Sequence, residues 1–562
     1  MKTVSKKVYS GLLATYFAIL FLLSPISVLS VGNDSIAEIE KVYCNATIED
    51  DFLEKQVCVI IHPDWYEKTY TVDDFSEINC FSVEFTATGK VGDQLVQLLL
   101  VRFQDGGKQK VLDVVQQLES RSDIYAADPN YLIEICDSNE EILINEADIV
   151  QPLTQTDAST SVCIPNDPLF ADQWGLQRLS LPQAWTIETG SPTVLVGVID
   201  GGIQGNHPDL QNRVNEELSR TFLEGAGDPL VDAYGHGTRM AGVIGAEANN
   251  QIGISGVCWN VQLVSLKVAG GNGILNTASA CEAIQYAEDH GITILNYSAG
   301  SYTSNAQLAA AIQNYSGLFI CSAGNDGMNT DTTPFYPAWH NLSNILVVGA
   351  CKAGGLRADL SNYGQQTVDV FAPGDSIIST TNSGSYSVTV GVSTSLATAY
   401  VSGVAALLLS ADPTMTTAEI KNAIMAHVDI VNISGTSVFE NYCVSGGIVN
   451  AYKALHHSTW IYTAGESLYT HTAKCLDCRY SCSQTHTWVD KGSYYLCSLC
   501  RMRTTTIPIN PSATVIFDLA DGEAIAMDSN TMLCFVDGQY FLVKAKTEEE
   551  AILTIINQEV II

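Results

Sequence analysis

Asp200, His236 and Ser395 are the residues of this sequence whose types, taken together, can break an acyl bond. Serine is a weak nucleophile near neutral pH unless a base removes its proton, and a histidine can do so if a buried carboxylate fixes its tautomer and supports its charged form. Asp200 closes the apolar run VLVGVID and is followed by two glycines that let the chain turn sharply. His236 sits between glycines in DAYGHGTRMAGVIGA, ahead of a small-residue helix. Ser395, in GVSTSLATAYVSGVAALLLS, opens another helix, where free N–H groups and the dipole favour negative charge. Asn325 in FICSAGNDG follows a strand, and its side chain can join the Ser395 N–H as a donor to a tetrahedral oxyanion. Taken singly, each of these residues is as often structural as catalytic, and the run after Ser395 reads as a buried core helix. Their shared placement, at carboxyl ends of strands or starts of helices, is where α/β enzymes keep reactive groups.

The elements that must position them alternate. VLVGVID, VQLVSLKV, ITILNYS, GLFICSAG and NILVVGA are near-continuous apolar runs, as strands buried on both faces of a parallel sheet should be. Helical patterns fall between them, including TASACEAIQYAEDHG and NAQLAAAIQNYSG, each closed by a glycine placed as a helix C-cap. This predicts an α/β domain with a doubly wound, mostly parallel sheet over residues 166–455. Residues 31–150 read differently. KQVCVIIH, NCFSVEF, LLLVRF and a run ending in DIYAADPNYLIEI suggest strands, and GKQKVLDVVQQLESR places Val111, Val114, Val115 and Leu118 on one helical face. A small α+β unit is expected there, followed to about residue 165 by a polar, acidic linker open to proteolysis. Residues 456–505 are rich in Cys and Tyr, and residues 506–562 form a short β-rich segment.

With 562 residues, 46% of them hydrophobic and 16% charged, the chain can bury a large core over several folding units. A net charge of −34 argues against nucleic acid and anionic membranes as partners and suits a soluble monomer that repels its copies. Lys2, Lys6 and Lys7 precede VYSGLLATYFAILFLLSPISVLS, and the small Val28 and Ser30 suit a signal peptidase, so residues 1–30 resemble a secretory signal and imply an extracellular protein. The alternative is an uncleaved anchor, since the run approaches spanning length. Most of the 16 cysteines stand singly, as Cys258, Cys281, Cys321 and Cys351 do, and read as small buried hydrophobes. Cys475, Cys478, Cys497 and Cys500 form a spaced set, CLDC then CSLC, that suits a zinc ribbon or two disulfides, with structural zinc slightly favoured.

DGGIQGNHPDL, YGHGTRMAGVIGA, SAGNDG and STSLATAYVSGVAALLL resemble the Asp, His, Asn and Ser motifs of subtilisin-like serine proteases, and NYGQQTVDVFAPG is similar to another segment of that family. The resemblance runs from about Asn166 to Leu455. It implies that Asp200 orients His236, that His236 is general base and then general acid, that Ser395 attacks the scissile carbonyl, and that Asn325 completes the oxyanion hole. It also implies that Ser298, Ala299 and Gly300, with Ser322, Ala323 and Gly324, pair with the backbone of a protein or peptide substrate and wall the pocket for the residue before the cut. LLLVRFQDGGKQKVLDVVQQLESRSDIYAADPNYLIEI is similar to the inhibitory propeptides of these proteases, which would make the chain a zymogen with its maturation site between Ile135 and Asn166. No cofactor is implied for catalysis, and calcium is expected only as a structural ion by family analogy. There are departures. Ser393, Leu396 and Ala399 stand where the family usually has Gly, Met and Pro, Arg239 where many relatives have His, and Gly201 where they have Thr. If the turn before Ser395 required positive φ, Ser393 would cost about 1–2 kcal/mol and misplace the nucleophile. A catalytically inactive subtilisin-like binding or adhesion module is therefore the alternative to an active endopeptidase.

Overall fold

The computed structural model describes residues 41–137, 141–144, 162–433 and 436–455, and beyond these the strands of a C-terminal segment between 460 and 556. The chain divides into two units, one of them spanning Lys41–Ser458. The expected signal at residues 1–30 lies outside the described residues.

The larger unit begins with an antiparallel sheet. Its strands are β1 (Phe52–Ile61), β2 (Cys80–Val91) and β3 (Gln94–Phe103), then, after helix α1 (Lys108–Glu119), β4 (Ile124–Ile135). The spatial order is β4-β1-β3-β2. Val111, Val114, Val115 and Leu118 are all buried on one face of α1, packed with Val57, Val59, Leu99 and Val101 of the sheet. The period of 3.6 thus meets the period of 2, and a small core closes between them. Strand β5 (Glu141–Leu143) follows.

The rest of the unit is built on a nine-stranded sheet. In chain order its neighbouring elements are β6 (Leu195–Asp200), β7 (Arg220–Thr221), α2 (His236–Gly245), β8 (Gln262–Lys267), β9 (Ile274–Asn276), α3 (Thr277–Asp289), β10 (Ile294–Tyr297), β11 (Ala299–Gly300), α4 (Ala306–Asn314), β12 (Leu318–Ser322), β13 (Ile345–Cys351), β14 (Val370–Pro373), β15 (Ile378–Thr380), β16 (Tyr386–Thr389) and α5 (Thr394–Ala411). The central order β14-β13-β12-β10-β6-β8 is parallel throughout, and only the edge strand Val428–Asp429 runs antiparallel. This is the doubly wound, mostly parallel sheet expected from the apolar runs. Cys258, Cys281, Cys321 and Cys351 are buried free thiols, as their scatter suggested.

Helix α5 is long and apolar enough to cross a membrane, but 83% of that stretch is buried inside the fold. It is the rigid core helix beneath the site. Helix α3 ends as predicted: Gly291 has φ +66°, its N–H reaches Glu288 O, and Ile292 N–H reaches Ala287 O, which completes a Schellman cap. Gly317 does not cap α4. That helix stops at Asn314, and Gly317 instead lies under the Tyr315 ring, where a Cβ would stand 2.3 Å from the hydroxyl oxygen.

In the C-terminal segment, three antiparallel sheets of three, four and four strands are described. Cys475 ends the strand Thr470–Cys475 and Cys497 ends Tyr495–Cys497, in two different sheets, while Cys478 and Cys500 lie outside the described residues. Among the described residues no group of three or more His, Cys, Asp or Glu can hold a metal, so the zinc expectation finds no support.

Candidate active site

The carboxyl end of β6 delivers Asp200, and the start of α2 delivers His236. Gly235 caps α2 with φ +94°, a conformation that a side chain would disfavour. Gly237 permits the approach of the two elements, because a Cβ there would stand 2.1 Å from Gly202 O and 3.0 Å from Asp200 Cβ. His236 Nδ1 then lies 2.7 Å from Asp200 Oδ2, with both side chains buried. The second carboxylate oxygen accepts from the Gly201 N–H at 2.7 Å. Asp200 therefore has one oxygen fixed by backbone and the other aimed at the imidazole.

Asp232 holds the turn that carries His236, a role its place in DAYGHG did not disclose. It accepts from the Gly235 and Thr238 N–H groups at 2.7 and 2.8 Å and from the Thr238 hydroxyl at 2.7 Å. Burial by itself lowers the His236 pKa, but the Asp200 charge and hydrogen bond, with Asp137 and Asp232 adding, outweigh it and push it up to about 9. His236 Nε2 is buried without a hydrogen-bond partner.

Ser395 stands in the first turn of α5. The residue before this helix, Ser393, has φ −139° and accepts the Leu396 N–H through its side chain, so it is an extended N-cap and not a strained turn residue. The feared cost at Ser393 is absent. Asn325 is oriented by Thr394, whose N–H and hydroxyl both donate to Asn325 Oδ1 at 2.9 Å. With its oxygen so occupied, the amide presents Nδ2 to the cleft.

What lies in the cleft is the chain itself. β4 enters between β9 and β11, with Leu132, Ile133 and Glu134 opposite Asn276, Leu275 and Ile274, and Glu134 and Ile135 opposite Gly300 and Ala299. The Ile135 N–H donates to Gly273 O at 3.1 Å and the Cys136 N–H to Ser298 O at 2.9 Å. The Cys136 carbonyl oxygen accepts from Asn325 Nδ2 at 3.1 Å and from the Ser395 hydroxyl. The structure thus pairs Asp200 with His236 and sets Asn325 Nδ2 and the Ser395 hydroxyl on one carbonyl oxygen, that of Cys136, while His236 Nε2 makes no hydrogen bond among the described residues.

Ser298 O accepts the Cys136 N–H, Ala299 and Gly300 lie opposite Ile135 and Glu134, and Ser322, ahead of Ala323 and Gly324, is hydrogen-bonded to the Cys136 thiol. Phe335, which sequence reasoning passed over, packs against Gly300 and Gly324. A Cβ on Gly300 would meet the Phe335 ring at 2.4 Å and one on Gly324 at 3.2 Å. Burial pushes the Cys136 thiol up to about 12, so it is a neutral group.

Beyond Cys136 the chain bends, with the Asp137 N–H on Ile135 O at 2.9 Å, and β5 then pairs antiparallel with β16. Arg239 meets this part. Its Nη2 pairs with Asp137 Oδ2 and its Nη1 with Glu141 Oε1. Asn130 and Gln307 complete the contact elsewhere: Asn130 Oδ1 accepts the Ala278 N–H at the start of α3, and Gln307 donates to Leu99 O.

Asp167 and Asp209 are buried carboxylates tied to the loop at residues 249–254; burial pushes both up to about 6, and the Asp209 charge adds to the rise at Asp167. Asp209 accepts from Asn250 Nδ2, the Ile254 N–H and the Tyr386 hydroxyl, and Asp167 accepts from the Asn249 and Asn250 N–H groups.

A model of the subtilase family matches residues 191–446. Thermitase of Thermoactinomyces vulgaris is 35% identical over 297 residues, which cover 52% of this chain and 99% of that protein. The thermophilic serine proteinase of Bacillus sp. (strain AK1) is 35% identical over 295 residues, covering 52% and 69% respectively. Subtilisin NAT of Bacillus subtilis subsp. natto is 32% identical over 285 residues, covering 50% and 70%. A doubly wound sheet, an Asp–His pair at the ends of β6 and α2, and a serine on the core helix are what the matched region contains. The chain accordingly belongs to the subtilase family and is a subtilisin-like serine endopeptidase.

Proposed function

We propose that Ser395, His236, Asp200 and Asn325 perform this hydrolysis, and that the protein is made as a secreted zymogen whose first substrate is its own Cys136–Asp137 bond. The Ser395 hydroxyl oxygen attacks the Cys136 carbonyl carbon while its proton passes to His236 Nε2. The oxyanion is held by Asn325 Nδ2 and the Ser395 N–H. Collapse breaks the C–N bond, and His236 returns the proton to the leaving Asp137 amine. Water, deprotonated by the same imidazole, then attacks the acyl-enzyme and frees the Cys136 carboxylate. Asp200 keeps Nδ1 protonated, so that Nε2 alone faces the serine.

The observation that carries this reading is the position of the Cys136 carbonyl oxygen between the Ser395 hydroxyl and Asn325 Nδ2. The strand before it is bound on both edges, which is how strand addition holds an extended substrate. In this reading residues 31–150 are the propeptide, an intramolecular inhibitor after its own cleavage, and residues 166–455 are the catalytic domain. Other protein or peptide substrates follow it into the same cleft. The signal-like residues 1–30 support export, and the net charge of −34 supports a monomer that does not bind nucleic acid. Calcium belongs to this reading only as a structural ion by family analogy.

Covalent labelling by a fluorophosphonate tests the assignment. The matured wild type should label, and Ser395→Ala should not. Absence of labelling in a matured, folded wild type would overturn the assignment of Ser395.

A further inference from the structure

Arg239 is three residues after His236 in α2, so both side chains rise from one face of that helix. It is buried, at 5% exposure, and its side chain reaches the downstream half of the cleft. Among the described residues its two ion-pair partners are Asp137 and Glu141, and neither belongs to the catalytic domain. Asp137 is the first residue after the bond at Ser395, and its side chain is only 6% exposed. Glu141 is fixed from the other side as well, since the Ser387 hydroxyl donates to its second carboxylate oxygen at 3.0 Å. The guanidinium carries donors in a rigid fork, and here the fork is divided between two carboxylates that flank the same stretch of substrate-like chain.

We infer that Arg239 is a specificity-determining residue that selects peptide substrates with an acidic residue immediately after the scissile bond. The inference rests on reading Cys136–Asp137 as a bound scissile bond. A neutral residue in the place of Asp137 would leave a desolvated guanidinium half-paired, and a lysine there would set two cations together in a site closed to water. Upstream, backbone pairing tolerates many side chains, so Arg239 gives this cleft a charge-based choice. An acidic residue four positions further on, as Glu141 is, adds to the same attraction.

The test uses full-length protein that has matured and peptides spanning residues 130–144 in which position 137 is Asp, Asn or Lys. The ratio of kcat/KM within each enzyme is the readout. For the wild type, Asp should exceed Asn by about tenfold and Lys by about a hundredfold or more. In Arg239→Gln the ratios should shrink to within about twofold, and in Arg239→Glu the Lys peptide should become the best of the three. A charge swap supplies a readout that simple loss of structure would not give: Asp137→Lys should slow processing of the full chain, and adding Arg239→Glu should restore it. Equal rates for the three peptides in the wild type, or an unchanged ratio in Arg239→Gln, would overturn the inference while leaving the bond assignment standing. If the wild type cuts other peptides but none of these after Cys136, the bond assignment itself fails, and the inference with it.

Discussion

Upstream of the Cys136 carbonyl, four residues of β4 are held by main-chain pairing to β9 and β11, whereas downstream, two carboxylates are held by the Arg239 side chain. The first arrangement uses groups that every residue except proline possesses. The second uses charge, which few residues possess. A protease can therefore be permissive on one side of its cut and selective on the other, because backbone and side-chain recognition are separate sources of affinity. On the upstream side, Phe335 packs against Gly300 and Gly324.

The contrast can be broken first at the junction of the two sides. Asn325→Ala removes the side-chain donor on the Cys136 oxygen and should lower kcat by about 10²- to 10³-fold with little change in KM, the range established for such donors in serine proteases. Steady-state kinetics on one peptide would show it. The downstream carboxylate also acts on the chemistry. His236 is held up to about 9, in part by Asp137, so the neutral imidazole needed as base is scarce at pH 7. Processing of the intact chain should therefore speed up by roughly 50-fold between pH 7 and 9, and in Asp137→Asn the rise should come at lower pH. Timed gel analysis across a pH series reads both. Phe335→Ala should open space beside Gly300 and Gly324 and improve cleavage after Leu or Phe, relative to Ala, by about tenfold, measured as a ratio of kcat/KM. The smallest effect is expected where the backbone alone is used. Glu134 is exposed, and Glu134→Gln should change the processing rate by no more than about twofold.

Much of this was legible in the sequence, for identifiable reasons. Asp200, His236, Asn325 and Ser395 are polar groups at the ends of apolar runs, and nothing about core packing calls for them there. The strands themselves were readable because burial on both faces demands continuous apolar residues. Ser393 was misjudged by its family counterpart: glycine is one solution for the residue before this helix, but an extended serine that caps it is another. Gly317 was misjudged by position, since a glycine just beyond a helix can equally make room for a ring such as Tyr315. Arg239 looked like a mild departure because its partners lie about a hundred residues earlier and meet it only when β4 and β5 enter the cleft. Phe335 sits in an irregular stretch with no periodicity to mark it.

The central claim is that the described chain lies in its own active site with Cys136–Asp137 as the bond to be cut. The direct measurement is the amino-terminal sequence of the first large fragment formed by purified full-length protein, taken beside the Ser395→Ala variant. A fragment beginning at Asp137 is expected in the wild type and an intact chain in Ser395→Ala. A wild-type fragment that begins elsewhere, or the same fragment formed at the same rate without the serine, would contradict it.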